Sequence, residues 1–212
     1  MINKILNYIK KNRVSTTELA DCMDKIGVID NSNALISGHF KVGKTHYCYC
    51  DDESNWNVHK NIQNVQENYI VFIDDLGANG RAIYGDIVAK YLILYKSAEA
   101  IVSNGKVRDV HTLIKENYPI WCYGTNPVGC FNYEPKSPID KIVLNERIEY
   151  FKDSIIVADD TGAVVITKEF INKEFYAKLE WIERQEDIWF DCIDRKKWNT
   201  FETVCLKKYK NT

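Results

Sequence analysis

The segment "YGDIVAKYLILYKSAEAIVSNGKVRDV", residues 84–110, contains the pattern that decides the fold. An apolar helical pattern follows Gly85-Asp86, and the apolar strand "EAIVSN" precedes "GKVRDV", in which Arg108 and Asp109 are adjacent. If the helix crosses back onto a sheet, the turn before it and the turn after the strand reach the same sheet edge. The segment therefore predicts an α/β unit with two carboxylates and a guanidinium at one edge.

The residues before this segment predict helices and a sheet. In "VSTTELADCMDKIG", Ser15 and Glu18 have the spacing of a capping box, and Gly27 suits the helix exit. The alternating residues 39–50, "HFKVGKTHYCYC", predict two strands joined by a Gly-Lys turn. The apolar run "YIVFIDD", residues 69–75, predicts a strand buried on both faces.

The remaining residues predict further elements of the same domain. Helices are predicted over 53–68, 109–117 and 168–198, strands over 119–124 and in a hairpin over 153–168, and a turn-rich excursion over 126–138. No linker or repeat interrupts this order. We therefore predict one α/β domain with a C-terminal helical extension.

Composition excludes several classes of protein. The chain has 212 residues, of which 45% are hydrophobic and 27% charged, as in an ordinary globular protein. A net charge of −2 gives no reason to expect nucleic acid as a partner. The apolar runs are shorter than the ~20 residues that span a bilayer, and residues 1–14 predict an amphipathic helix and not a signal peptide. Seven cysteines without a CxxC pair favour free thiols, so we expect a cytoplasmic protein.

Two turns at the predicted sheet edge carry groups that suit an anionic ligand and a hard cation. Asp86 opens a helix whose first free amides, those of Ile87 and Val88, favour an anion. Arg108 can hold a carboxylate with two hydrogen bonds, and Asp109 offers an oxygen to Mg²⁺. Taken singly, Asp86 also suits a plain helix N-cap, and Arg108 with Asp109 a surface ion pair. Together these groups match a 2-oxo acid that chelates a divalent metal.

The order Gly-Asp, helix and V-x-x-G-x-V-R-D resembles the RraA-like proteins. This family includes metal-dependent 4-hydroxy-4-methyl-2-oxoglutarate/4-carboxy-4-hydroxy-2-oxoadipate aldolases and the regulator of ribonuclease E activity. The likeness extends from about residue 15 to residue 190, and it includes "STTELADCMDKIG", "YPIWCYGTNP" and "DSIIVADDTGAVVITKEF".

The resemblance implies a single compact ββα-type fold, similar to a swivelling domain, with a central β-sandwich. Residues 1–168 would form the RraA-like α/β domain, and residues 169–212 its C-terminal helical extension at a subunit interface. Such proteins assemble as trimers or pairs of trimers, with their sites at the interfaces. We therefore expect a homotrimer or a hexamer.

The resemblance also implies roles for the residues of the two turns. Asp109 would bind Mg²⁺ or Mn²⁺, and Arg108 would hold the keto and carboxylate oxygens of the substrate. Gly85 and the amides of Ile87 and Val88 would bind the substrate carboxylate.

The remaining implied roles belong to acidic residues. Asp86 would orient a metal-bound water, and a glutamate from the neighbouring subunit's C-terminal helix would complete the site. Glu186 or Glu183 matches that glutamate, and a solvated helix face is the alternative interpretation of both. With Arg108, Asp86 and Glu186 as catalytic residues, the implied activity is that of a metal-dependent carbon–carbon lyase. It would cleave or decarboxylate a small 2-oxo acid through a pyruvate enolate.

The chain departs from the family pattern near the site. Asn104 stands where the family usually has Asp, "KSAEA" at residues 96–100 replaces a glycine-rich stretch, and one extra residue separates the two turns. Arg81 and Lys106 lie in the flanking loops, where they either recognise a second acidic group or remain solvated.

Two other functions remain open beside the lyase. One is a non-catalytic regulatory binding protein like the ribonuclease E regulator. The other is a family member that has been repurposed for a specialised biosynthetic step with a different substrate. The regulatory branch lacks the acid after Arg, whereas this chain has Asp109, which favours catalysis or metal binding.

Overall fold

The computed structural model describes residues 1–211, and Thr212 of the predicted extension lies outside them. The helices within this range are α1 (Ile2–Asn12), α2 (Thr16–Cys22), α3 (Trp56–Asn61), α4 (Asp86–Lys90), α5 (Val110–Lys115), α6 (Lys141–Phe151) and α7 (Lys173–Asp194). The strands are β1 (Asn33–Ala34), β2 (Lys41–Cys50), β3 (Tyr69–Asp75), β4 (Ala82–Tyr84), β5 (Ala100–Ser103), β6 (Lys106–Val107), β7 (Ile120–Cys122), β8 (Gly124–Thr125), β9 (Ile155–Asp159) and β10 (Gly162–Ile166).

Two sheets organise the molecule. The larger has the order β1-β7-β5-β3-β2-β9-β10, and the smaller the order β4-β6-β8. Strands β2, β3, β5 and β7 are parallel to one another, whereas β9 and β10 form an antiparallel hairpin. Parallel neighbours require crossover helices, which confirms the predicted α/β class.

The larger sheet nearly closes into a barrel. The amide of Ile29 donates to the carbonyl of Ala163 at 2.9 Å, and the amide of Val165 donates to the carbonyl of Gly27 at 2.8 Å. These bonds bring the chain before β1 alongside β10, so the two ends of the sheet approach each other. Such closure covers sheet edges that would otherwise expose unpaired backbone groups.

Strand β3 is buried on both faces, as its apolar run predicts. Ile70 and Phe72 pack with Trp121 inside the curved sheet. Val71 and Ile73 point to the other face and pack beneath α3, α4 and α5. The crossover helices therefore rest on the centre of the sheet and bring their loops to one edge.

The prediction of two strands over residues 39–50 is wrong. Strand β2 runs without a break through Gly43 and pairs with β3 in parallel. A Cβ on Gly43 would lie 2.9 Å from the Asn68 carbonyl oxygen and 2.9 Å from a side-chain carbon of Ile70. This glycine therefore permits a close strand approach and does not mark a turn.

Helix α2 begins where the sequence predicts, but it ends earlier than the predicted exit at Gly27. The amide of Ser15 donates to Glu18 at 2.7 Å and the amide of Glu18 donates to the Ser15 hydroxyl at 3.2 Å, which confirms the capping box. The helix ends before Gly27, because Asp24 and Lys25 adopt positive φ angles. Gly27, at φ 91°, begins the chain's approach to β10 instead.

Helix α6 is an element that the sequence does not predict. Its N-cap Asp140 accepts a hydrogen bond from the Ile142 amide at 2.7 Å. On its inner side Arg147 Nε contacts Asp74 Oδ2 at 2.8 Å, and Phe151 is buried against the sheet. The helix thus packs against the larger sheet through Phe151 and Arg147.

The long C-terminal helix confirms the predicted helical extension, with bounds inside the expected 168–198. Asn172 caps it by accepting from the Phe175 amide at 2.9 Å. Phe175, Leu179 and Ile182 are buried in the core that α7 shares with α1 and α2. Within residues 1–211 no helix is both long and apolar enough to cross a membrane.

Candidate functional site

A cavity of about 130 Å³ lies where the start of α4, the end of β6 and the segment of residues 126–138 meet. The two turns that the sequence singles out both line it. The residues they contribute are Gly85, Asp86, Ile87, Val88, Arg108 and Asp109. The parallel pairing of β4 with β6 brings the turns together, because each follows its strand at the same edge.

The closest packing in the cavity is between Gly85 and Asp109. A Cβ on Gly85 would overlap the Asp109 carboxylate, so a larger residue there would displace that carboxylate. The amide of Asp86 donates to Asp109 Oδ2 at 3.3 Å. The start of α4 therefore holds the Asp109 carboxylate in place.

Arg108 and Asp109 form an ion pair that is open to the cavity. Arg108 Nε lies 3.5 Å from Asp109 Oδ2, and the two side chains are 46% and 39% exposed. The amide of Arg108 donates to the Tyr84 carbonyl at 3.1 Å, which ties this turn to β4. Asp109 itself has φ 59°, a left-handed conformation that Asp tolerates better than most residues. Both charged groups thus remain accessible to a ligand.

The first turn of α4 presents backbone donors to the same cavity. The first helical hydrogen bond runs from the Ala89 amide to the Gly85 carbonyl at 3.1 Å. The amides of Ile87 and Val88 precede it, so they have no acceptor within their own helix. Amides in this position favour an anion such as a carboxylate.

The opposite wall of the cavity consists of residues that no sequence motif marks. It includes Asn55, His59, Gly129, Cys130 and Asn132. Within the described part of the chain, the buried side-chain oxygen of Asn55 has no hydrogen-bond partner, so it can accept a hydrogen bond from a ligand. Burial lowers the pKa of His59, which therefore favours the neutral imidazole. No local motif marks these residues, because they reach the cavity from distant segments.

The segment of residues 126–138 is held along β4. The Ala82 amide donates to the Val128 carbonyl at 2.8 Å, and the Cys130 amide donates to the Ala82 carbonyl at 2.9 Å. The predicted turn-rich excursion therefore contributes Gly129, Cys130 and Asn132 to the wall of the cavity.

Arg81 has a structural contact that competes with the predicted recognition of a second acidic group. Its Nε donates to Glu53 at 2.8 Å, its Nη1 donates to the Gly129 carbonyl at 3.3 Å, and its guanidinium lies over the Phe131 ring. Lys106 lies near the Tyr123 ring, 5.9 Å from its centroid. Neither cation lines the cavity.

The two candidate glutamates of α7 lie away from the cavity of their own chain. Glu183 accepts a hydrogen bond from the Tyr8 hydroxyl at 2.6 Å. Glu186 is partly buried near Glu18 and Asp21, and burial together with these carboxylates raises its pKa. Their contribution to a neighbouring subunit's site stays a prediction.

The residues of the cavity fit a hard divalent cation that keeps most of its water. Among residues 1–211 no three His, Cys, Asp or Glu side chains converge as a metal-binding group. Asp109 and Asp86 are the two carboxylates of the cavity, and Mg²⁺ typically uses only one or two protein carboxylates with several waters. A closed site with four protein ligands is not formed by these residues.

The family model described as "RraA-like: Aldolase/RraA" matches residues 16–165, and the chain belongs to this family. The match includes every cavity residue named above. The predicted resemblance is therefore confirmed.

Solved structures with the same fold come from several bacteria. An uncharacterised protein from Pseudomonas syringae pv. tomato is 20% identical, with a TM-score of 0.73 over 97% of this chain and 94% of that one. RraAS2 from Streptomyces coelicolor, described as an unusual member of the RNase ES inhibitor RraA family, is 20% identical, with a TM-score of 0.62 over 83% and 91%. The RNA-processing inhibitor RraA from Thermus thermophilis is 19% identical, with a TM-score of 0.54 over 72% and 92%. At these sequence identities, the structural similarity establishes a shared fold and nothing further about function.

A curated relative extends the comparison to a longer protein. Protein DlpA from Legionella pneumophila is 28% identical over 128 residues, which are 56% of this chain. The match covers 20% of DlpA, so the chain corresponds to about a fifth of that relative.

Proposed function

We propose that the protein is a divalent-metal-dependent lyase that cleaves or decarboxylates a small 2-oxo acid. The observation that carries this proposal is the meeting of Arg108, Asp109 and the first amides of α4 in one cavity. The helix amides can bind a carboxylate, Arg108 can bind a keto oxygen, and Asp109 can bind a metal. The family includes both aldolases and regulators. The choice between a catalytic and a regulatory function therefore rests on the residues of the cavity and not on the fold.

Binding and charge stabilisation are the roles of the cationic and amide groups. The amides of Ile87 and Val88 bind the substrate carboxylate, and Arg108 holds the carboxylate and the adjacent keto oxygen. As the carbon–carbon bond breaks, negative charge develops on that keto oxygen, and Arg108 stabilises it at short range. Asp109 would hold Mg²⁺ or Mn²⁺, which supplies a Lewis acid when bound.

Proton transfer is the role of Asp86. In retro-aldol cleavage the hydroxyl of the leaving carbon fragment loses its proton as it becomes a carbonyl, and a water oriented by Asp86 accepts that proton as a general base. In decarboxylation carbon dioxide leaves without this step. Asp86 is therefore needed for the first reaction and not for the second.

The opposite wall suits a polar, uncharged part of the substrate. Its buried Asn55 oxygen accepts a hydrogen bond, and His59 favours the neutral form. Arg81 is engaged by Glu53, so it does not supply a second anion site. This wall can therefore hold a hydroxyl beside the bond that breaks.

A glutamate from a neighbouring subunit's α7 completes the proposed site in a trimer or a hexamer. Glu186 and Glu183 are both candidates for this role: Glu183 accepts a hydrogen bond from the Tyr8 hydroxyl, and Glu186 is partly buried near Glu18 and Asp21. Exposed Trp181 and Phe190 on the same helix support a subunit contact there. The unpaired thiols support a cytoplasmic location.

Pyruvate release from oxaloacetate tests the proposal. With Mg²⁺ or Mn²⁺ we expect turnover that EDTA abolishes and added metal restores. Metal binding without turnover would favour a repurposed enzyme with another substrate. If calorimetry shows no metal binding and no turnover occurs, the lyase is wrong and a regulatory binding protein is favoured.

A further inference from the structure

Two thiols meet at the wall of the cavity. The sulfurs of Cys50 and Cys130 are 3.6 Å apart, although the residues are separated by 80 positions in the chain. Cys50 is buried, whereas Cys130 is partly exposed and lines the cavity. A disulfide has a sulfur–sulfur distance of about 2.05 Å, so a small movement would join them.

Backbone hydrogen bonds hold both cysteines in this position. Cys50 ends β2, and its carbonyl accepts from the Leu76 amide at 2.9 Å. Cys130 is tied to β4, because its amide donates to the Ala82 carbonyl at 2.9 Å. The meeting of the two sulfurs therefore follows from the packing of β2, β4 and the segment of residues 126–138.

The local environment distinguishes the two thiols. The Cys50 thiol donates to the Ser54 carbonyl at 3.1 Å. Its contact with the Cys130 sulfur lowers the pKa of the Cys130 thiol, and the same contact together with burial raises the pKa of Cys50. Burial and the nearby Asp75 oppose this lowering of the Cys130 pKa, and Arg81 adds to it. Cys130 is thus the more accessible thiol and the one that more readily forms a thiolate, the nucleophilic form.

We propose that Cys50 and Cys130 form a reversible disulfide in the wall of the cavity, with a low-molecular-weight disulfide such as oxidised glutathione as the oxidant. The Cys130 thiolate attacks one sulfur of glutathione disulfide and releases one glutathione thiolate, which takes up a proton. Cys50 then attacks the Cys130 sulfur, loses its proton and releases the second glutathione. Two protein thiols are oxidised to one disulfide, and one glutathione disulfide is reduced to two thiols.

This bond would tie a wall of the candidate site to the central sheet. Gly129 precedes Cys130 and packs so closely against Arg108 that a Cβ there would overlap the guanidinium. A shift of Cys130 towards Cys50 therefore acts next to a ligand-binding group.

Mass spectrometry of the full chain tests the proposal. The exposed Cys205 is replaced by serine to prevent links between chains, and the protein is incubated with oxidised glutathione and then alkylated without reduction. We expect the loss of two alkylatable thiols, no retained glutathione, and a linked peptide pair that contains Cys50 and Cys130. Dithiothreitol restores both thiols.

Two variants in the Cys205→Ser background complete the test. Cys130→Ser, at a partly exposed position, should lose no thiol, and Cys50→Ser should retain one glutathione on Cys130. If Cys50→Ser does not fold, the peptide map and Cys130→Ser decide alone. Stable glutathione on Cys130 of the parent, a link to another cysteine, or full alkylation of both thiols would overturn the proposal.

Discussion

At the scale of single residues, two glycines place the charged groups of the cavity. Gly85 leaves room for the Asp109 carboxylate, and Gly129 leaves room for the Arg108 guanidinium. Gly85 belongs to a recognisable Gly-Asp motif, so the sequence indicates its importance. Gly129 lies in a turn-rich segment, and only the three-dimensional packing shows that it borders Arg108.

We predict that Gly129→Ala impairs substrate binding without unfolding the protein. The added methyl group displaces the Arg108 guanidinium, so KM for oxaloacetate should rise roughly tenfold or more. Steady-state kinetics and a thermal melt measure the two effects. In an Arg108→Ala background the same substitution should have little further effect on KM. An equal effect in both backgrounds would show that Gly129 does not act through Arg108.

Asn104 stands where the resemblance leads us to expect Asp, and it makes two hydrogen bonds that explain its side-chain amide. Its Nδ2 donates to Asp74 Oδ1 at 2.8 Å, and its Oδ1 accepts from the Asp75 amide at 2.6 Å. An aspartate here could not donate to Asp74, whose side chain is fully buried. The side-chain amide of Asn104 therefore belongs to a hydrogen-bond network with Asp74 and Asp75.

We predict that Asn104→Asp destabilises the fold at neutral pH. It places a second carboxylate against Asp74 and removes a donor, which should cost about 1.5–3 kcal/mol. Urea unfolding measures the loss. The matched variant Asn64→Asp changes an exposed asparagine and should stay within about 0.5 kcal/mol of the parent. Equal stability of the two variants would contradict the role given to Asn104.

At the scale of elements, the sequence predicts best where pattern and burial agree. The capping box of α2 and the apolar run of β3 are local signals, and the structure contains both elements. Helix α6 lacks a strong apolar stripe, because it contributes mainly Phe151 and Arg147 to the interior. The sequence predicts a turn at Gly43 within β2, because the role of this glycine depends on a neighbouring strand.

We predict that Phe151 contributes most of the packing energy between α6 and the larger sheet. Its ring lies 4.4 Å from the Phe72 ring and 5.4 Å from the Tyr47 ring, measured between centroids. Phe151→Ala should therefore cost about 3–5 kcal/mol in chemical unfolding. Ile142→Ala, at a side chain that is 70% exposed on the same helix, should cost less than about 0.5 kcal/mol. A small loss for Phe151→Ala would mean that α6 contributes little to the barrel.

At the scale of the whole molecule, α7 joins the C-terminal residues to the rest of the fold. Its inner face shares a core with α1 and α2, which supports our proposal that residues 169–212 extend the domain of residues 1–168. The sequence predicts all three of these helices but not that they pack against one another. Its charged face lies near acidic residues of α2, as the environment of Glu186 shows.

We predict that Glu186→Gln stabilises the protein in a pH-dependent way. Because the folded state raises the pKa of Glu186, first through burial and then through Glu18 and Asp21, the ionised side chain disfavours folding. The gain from glutamine should be present above the raised pKa and vanish as pH falls below the ordinary carboxyl range, about pH 4. Thermal melts of the parent and the variant at a series of pH values across this range measure the stability gain. Glu146→Gln on the exposed face of α6 serves as the control, and an equal gain there would contradict the prediction.

The most direct test of the central claim compares the parent with Asp109→Asn in pyruvate release from oxaloacetate. The substitution keeps the shape of the side chain and removes the charge that would hold the metal. We predict Mn²⁺-dependent turnover in the parent, a loss of at least roughly a hundredfold in the variant, and weaker Mn²⁺ binding by calorimetry at unchanged melting temperature. Turnover in Asp109→Asn equal to that of the parent would contradict a metal-dependent lyase at this cavity.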